Sequence, residues 1–190
     1  MSVVHVICAT LRSDATDEAV AHALDLARDL AGAEGVTRVL AGRGERQLVA
    51  VTWLAGREAL EPFAASPAHM AFIMRGLAPC ISGMWSAAVE SDAAPPDGVA
   101  SLWVFALQAA GGLFEWQVRE LLDAIEVLPG HAAIGVTVEE RERYRAGGAV
   151  CLTSAEVAEF GAALAAARSR WGEPASAVID AAVTVVDVDR

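Results

Sequence analysis

The sequence predicts an α+β fold in which one β-α-β-β-α-β unit is used twice, the two repeats packing sheet to sheet within a single chain. Three observations lead there. An apolar run containing Val3, Val4, Val6, Ile7 and Cys8 opens a block spanning residues 1–91, and a second run, Leu102, Trp103, Val104, Phe105, Ala106 and Leu107, opens another spanning residues 101–190. Both blocks pass through the same order of apolar strand, amphipathic stretch, hairpin, Ala-rich helix and apolar strand. Residues 92–100, with Pro95, Pro96 and Gly98, form the one obvious linker between them. Internal repetition of this kind constrains architecture more firmly than any single residue does.

Residues 3–10 are apolar at successive positions, as in a strand covered on both faces. Ser13, Asp14, Thr16, Asp17 and Glu18 supply turn and cap chemistry, with acids placed where a helix N-terminus favours them. The helix that follows puts Ala19, Ala23, Leu26, Ala27 and Leu30 on one stripe and ends at Gly32 and Gly35. Residues 36–40 form a strand, 41–46 a hairpin loop, and 47–54 the returning strand. A second helix starts near Arg57, carries Leu60, Phe63 and Ala64, and is interrupted by Pro67. Residues 68–77 continue as helix and 81–89 close the unit, which is the ferredoxin-like order.

The second block aligns with an offset near 98, so that His5 falls on Trp103, Leu24 on Leu122, Glu58 on Glu156 and Trp85 on Val183. Its hairpin, residues 134–152, is longer and carries the charged run Glu139, Glu140, Arg141, Glu142, Arg143, read as a solvated tip. An Ala-rich helix over residues 155–170 and a strand over 177–188 complete it. Four strands with both helices on one side leave the other sheet face bare, yet the strands are apolar on both faces. Two sheets facing one another resolve this, with the helices outside.

Composition narrows the function. At 190 residues, 55% hydrophobic and 21% charged, the chain is long enough for one large core or two modest ones. A net charge of -11 argues against nucleic acid and against anionic membrane surfaces. All 14 basic residues are arginine, which excludes Schiff-base chemistry through lysine. Cys8, Cys80 and Cys151 are far apart in apolar contexts, a pattern of buried reduced thiols rather than of disulfides or a metal site. No run approaches the roughly 20 apolar residues of a membrane span, and the N-terminal run lacks a basic flank. The expectation is a cytoplasmic protein. No glycine-rich phosphate loop, nucleophile elbow or metal-spaced His/Cys cluster is present, so no metal and no cofactor are expected.

The first block bears a family resemblance. The segments Gly35-Val36-Thr37-Arg38-Val39-Leu40, Leu48-Val49-Ala50-Val51-Thr52-Trp53-Leu54 and Glu58-Ala59-Leu60, followed by Ser66-Pro67-Ala68-His69, resemble the antibiotic-biosynthesis monooxygenase family of the dimeric α+β barrel superfamily. The second block shares the layout without the motif: Cys151 stands at the Trp53 position and Ala167 near the His69 position. The resemblance implies an intrachain version of a barrel that is otherwise built by two subunits, either monomeric with pseudo-dimeric halves or a homodimer. It also implies a small hydrophobic or aromatic substrate.

In the family the strand tryptophan lies between sheet and helices beside the substrate pocket. Trp53 shares its strand face with Val49 and Val51, and either fills core or flanks that pocket. His69 and Arg75 are the candidate catalytic groups, an acid or base and a cation for a phenolate. Trp53, His5, Val49 and Phe72 are the candidate substrate-binding residues. His5, expected between the two sheets, takes a structural partner or lines a cavity. Trp85, Trp103, Trp116 and Phe105 read as core.

The haem-degrading branch of the superfamily uses an Asn, a helix Trp and a His. Here there is no Asn, Pro62 falls near the Trp and Phe72 near the His, which sets that branch aside. The anthrone-oxidising branch works without metal or flavin and surrounds its substrate with Trp, Asn, Tyr and Arg. Of these Trp53 and Arg75 remain, while Val49 and Ala59 stand near the Asn and Tyr. The resulting expectation is a cofactor-independent monooxygenase-like protein acting on a small aromatic or polyketide-like molecule. The alternative is a non-enzymatic small-molecule-binding or stress-associated barrel. Either way, the motif's absence from the second block assigns any chemistry to the first.

Overall fold

A computed structural model describes residues 1–94, 96–108, 114–138, 144–171 and 178–186. The first repeat runs β1 (Ser2–Leu11), α1 (Asp17–Asp29), β2 (Val36–Arg43), β3 (Gln47–Leu54), α2 (Leu60–Ala64), α3 (Pro67–Ala71), a π-helical turn (Phe72–Leu77) and β4 (Ile81–Ser91). The second runs β5 (Ser101–Gln108), α4 (Glu115–Glu126), β6 (His131–Val136), β7 (Tyr144–Leu152), α5 (Val157–Arg168) and β8 (Val178–Val185). Strand β2 extends three residues past Leu40, so the first hairpin is tighter than its glycines suggest. The charged run at residues 139–143 lies outside the described residues.

All eight strands form one antiparallel sheet in the order β4-β1-β3-β2-β8-β5-β7-β6. Within it each repeat keeps its own ferredoxin-like order, β4-β1-β3-β2 and β8-β5-β7-β6. The repeats join edge to edge at two seams. At one, Gly42 pairs with Val185 and Arg43 with Thr184, and the Val186 N–H donates to the Ala41 carbonyl at 2.9 Å. At the other, Val89 bridges Thr137, the Val138 N–H donates to the Ala88 carbonyl at 2.9 Å, and Arg57 donates to the Val138 carbonyl at 2.6 Å. The sheet thereby curls into a nearly closed barrel.

The register shows that the halves are related residue by residue. Val4 pairs with Trp53 and Val89, and Leu102 pairs with Cys151 and Val183. Val183 is therefore the counterpart of Val89, not of Trp85. A constant offset misses this because the two repeats distribute their loop lengths differently.

The same register makes Gly42 and Gly135 equivalent, one at each seam. A Cβ on Gly42 would stand 2.6 Å from the Thr184 carbonyl oxygen, and one on Gly135 would stand 2.3 Å from the Glu90 carbonyl oxygen. Neither is a turn position. Glycine is needed because the neighbouring backbone approaches too closely for any side chain.

Three apolar layers result. Inside the barrel, Val4, Val6, Val51 and Trp53 meet Leu102, Val104, Ala149 and Cys151 in one cluster drawn from both repeats. Outside, α1 to α3 cover the first sheet over Ile7, Ala50, Leu54, Phe63 and Phe72. Helices α4 and α5 cover the second over Trp103, Phe105, Val150 and Phe160. Of the tryptophans expected in the core, Trp103 is fully buried, but Trp116 is 62% exposed on α4.

Substituting Gly135→Val should push the β4–β6 seam apart and lower unfolding free energy by about 1–3 kcal/mol. Gly161 on α5 has nothing within 4 Å of a built Cβ, so Gly161→Ala should stabilise by about 0.4–1 kcal/mol. Urea midpoints of the two variants measure both effects, and a shift of the same sign in both would contradict this account of the seam.

Candidate functional site

Strand alternation divides the predicted site residues between the two sides of the first sheet. Val49 and Trp53 point into the barrel, where both are fully buried. Trp53 thus departs from the expected place between sheet and helices, and Val49 lies inside the barrel with it. Side-chain period fixes this: Ala50, Thr52 and Leu54 take the helix face of β3, so their neighbours must face inward.

His5 is displaced in the opposite sense. It shares the face of Val3 and Ile7 and lies under the helices, not between the sheets. There its ring meets Phe63 edge-on at 5.6 Å and His69 at 5.8 Å, while Phe63 and His69 are 4.9 Å apart. The three rings form a compact cluster between β1 and the α2–α3 segment. Thr52, buried and directly across the ladder from His5, supplies the adjacent polar side chain. Phe72 is fully buried in the same layer. Arg75 is exposed on the π-helical turn, with no ion pair among the described residues.

The Ser66-Pro67-Ala68-His69 segment has a local explanation. Ser66 caps α3 by accepting from the His69 backbone N–H at 3.2 Å, and Pro67 takes the first helical position, where its missing N–H is harmless. This cap fixes where His69 leaves the chain. Its Nδ1 lies 3.0 Å from the Ala64 carbonyl at the end of α2. A carbonyl can only accept, so Nδ1 carries the proton and Nε2 keeps its lone pair. That Nε2 is enclosed and has no hydrogen-bond partner, and neither has Nδ1 of His5.

Burial sets the protonation of both rings. His5 is held down to about 4, first by desolvation and then by the proximity of His69. His69 is also lowered by desolvation, partly opposed by its bond to Ala64. Both imidazoles are therefore neutral at pH 7. The thiols are no rivals as nucleophiles: burial raises Cys8 and Cys151 to about 12, and raises Cys80 as well. Among the described residues no three His, Cys, Asp or Glu side chains come together to hold a metal ion.

In the second repeat the equivalent place is filled. Trp103 stands where His5 does and packs 5.6 Å from Phe160, the counterpart of Phe63. Its indole Nε1–H donates to Asp180, which also pairs with Arg168. A satisfied indole occupies the volume that in the first repeat holds two unpartnered ring nitrogens.

No family model matches the sequence, and a search of curated proteins finds no match. Solved structures do match along their length. An anthrone oxidase-like protein is similar with a TM-score of 0.65 at 13% identity, over 98% of this chain and 92% of that one. A candidate monooxygenase from Fusobacterium nucleatum subsp. nucleatum gives 0.53 at 8% identity, over 99% and 93%. The fold is shared with these proteins. No described helix is long and apolar enough to cross a membrane.

Of the clustered residues, His5 and His69 are visible in the sequence as lone histidines, whereas Thr52 and Phe63 are not distinguishable from core. The signal that identifies them is positional: Thr52 follows from the β1–β3 register, and Phe63 from the chain turning back at Ser66.

The His5 shift has a sign that can be checked. Between pH 6.5 and about 4 the unfolded chain binds the proton and the folded one does not. The stabilising effect of a neutral His5 is therefore complete above pH 6.5 and is lost as pH falls through that window, by up to about 3 kcal/mol. Urea unfolding across pH 4–7 should show this acid limb in the wild type and a shallower one in His5→Leu. Parallel limbs would contradict the burial of His5.

Proposed function

We propose that the protein is a cofactor-independent monooxygenase-like enzyme of the antibiotic-biosynthesis monooxygenase type, acting on a small aromatic or polyketide-like substrate in the first repeat. The observation that carries this reading is the unpartnered, enclosed Nε2 of His69, a neutral base whose tautomer is locked by Ala64 and whose ring neighbours are His5 and Phe63. Substrates of the anthrone class hold an acidic ring CH2 conjugated through the flanking arenes to the carbonyl on the opposite side of the ring. Loss of that proton to His69 leaves a carbanion able to reduce O2 directly, converting the CH2 group to a carbonyl with release of one water. Phe63 offers the ring a stacking surface, and His5 and Thr52 offer polar contacts for its oxygens. Because Nε2 is enclosed, entry requires the α2–α3 segment to shift. The π-helical turn that follows α3 is a departure from regular helix of the kind that often accompanies such a site.

This reading moves the expected residue roles. Trp53, inside the barrel, serves stability instead of stacking on substrate. Arg75, exposed on the π-helical turn, is not part of the ring cluster, so the base acts without it. A binding protein without turnover is the second reading, favoured by the same scarcity: no Arg, Asn or Tyr joins the cluster among the described residues.

Oxygen consumption with anthrone as substrate separates the two. Turnover that falls by about a hundredfold or more in His69→Gln, and that survives in Trp53→Phe, is the expected result. Saturable binding of anthrone without O2 uptake favours the binder, and equal rates for wild type and His69→Gln would overturn the assignment of the base.

A further inference from the structure

We infer that the second repeat carries a separate ligand site, a groove between α4 and the end of α5 that takes a planar aromatic molecule bearing a single carboxylate. The groove has a volume of about 500 Å³ and is lined by Trp116, Leu121, Val127, Leu128, Ala167 and Trp171. That is within the size range of small-molecule sites, and its lining is predominantly apolar with a few polar groups, as such sites are. No strand residue lines it, so it lies between the helices and not between helices and sheet.

Its existence is a departure from the repeat. In the first half the corresponding helical layers touch: a Cβ on Gly76 of the π-helical turn would lie 3.2 Å from the Ala23 backbone of α1. In the second half Leu121 of α4 and Ala167 of α5 line an open groove instead. The space is walled by indoles instead of being closed by them, and Trp116 and Val127 remain 62% and 82% exposed. Large apolar side chains held open in this way gain from covering by a flat apolar partner.

The polar groups define the rest of the ligand. Arg170 lies on the rim, and its one bond among the described residues runs from Nε to the Ala166 carbonyl at 3.3 Å. Elsewhere Arg12, Arg28, Arg38, Arg43, Arg119 and Arg168 are each paired with a carboxylate. The remaining guanidinium N–H groups of Arg170 are therefore available to an incoming anion, which guanidinium binds in a planar, forked geometry. Trp171 also lines the groove, and its indole Nε1 is enclosed without an acceptor among the described residues. Glu120 shares the lining, and its charge, in a chain of net charge -11, discriminates against multiply charged anions.

Titration of the full chain with 2-naphthoate, followed by the indole N–H resonances of a ¹⁵N-labelled sample, tests this directly. The resonances of Trp116 and Trp171 should shift saturably while those of Trp53 and Trp103 stay fixed. Arg170→Gln should weaken 2-naphthoate binding by about tenfold and leave binding of uncharged 2-naphthalenemethanol unchanged, and Trp116→Leu should weaken both. His69→Gln should alter neither, which separates this site from the one in the first repeat. Shifts confined to Trp53, linear non-saturable shifts, or an affinity for 2-naphthoate insensitive to Arg170→Gln would each overturn the proposal.

Discussion

The interior contact between the two four-stranded sheets is what the rest of this molecule depends on. Each ferredoxin-like repeat covers only one sheet face with its own helices, and each has strands that are apolar on both. Val4, Val6, Val51 and Trp53 from one repeat and Leu102, Val104, Ala149 and Cys151 from the other satisfy this requirement together. The packing is complementary in volume. Trp53 and Cys151 occupy equivalent register positions in the same interior cluster, so a large side chain from one repeat is matched by a small one from the other, where two indoles would add to the volume to be filled. Trp53 is kept there although its Nε1 finds no acceptor, a penalty of about 1–3 kcal/mol that its buried ring area offsets.

Closure of the barrel adds a second constraint, met in the same way twice. Gly42 and Gly135 lie at equivalent positions and let β2 and β6 approach the edge strands of the opposite repeat. An open ferredoxin-like sheet leaves two edges with unpaired backbone groups. Here those edges are used up against each other within one chain, and Arg57 adds a side-chain tie across one seam.

With architecture shared, the two halves differ where side chains meet the helices. His5 and Phe63 in the first correspond to Trp103 and Phe160 in the second, and the exchange of imidazole for indole turns an unsatisfied pair of ring nitrogens into a satisfied Trp103–Asp180 contact. The fold was legible because repetition and two-faced strands are properties of pattern, readable without knowing any contact. The site was legible only in part. His69 stands out by its Ser66-Pro67 cap, but whether His5 faces the barrel or the helices depends on which face the barrel encloses, and alternation alone is silent on that. The same ambiguity misplaces Trp53 and Val49. Arg75 lies apart from the ring cluster, exposed on the π-helical turn, and six residues from His69 is not a same-face spacing on a helix. The groove beside Trp116 was not legible, since an amphipathic α4 reads as fully packed until the small residues of α5 are set against it.

Native-state hydrogen exchange tests the central claim, that the two repeats are one cooperative unit because they share one interior. Amides of β1 and β3 should open with the same free energy as those of β5 and β7, and Val104→Ala in the second repeat should lower protection in both by the same amount. Protection in β1 and β3 that survives unchanged when the second repeat is destabilised would contradict it.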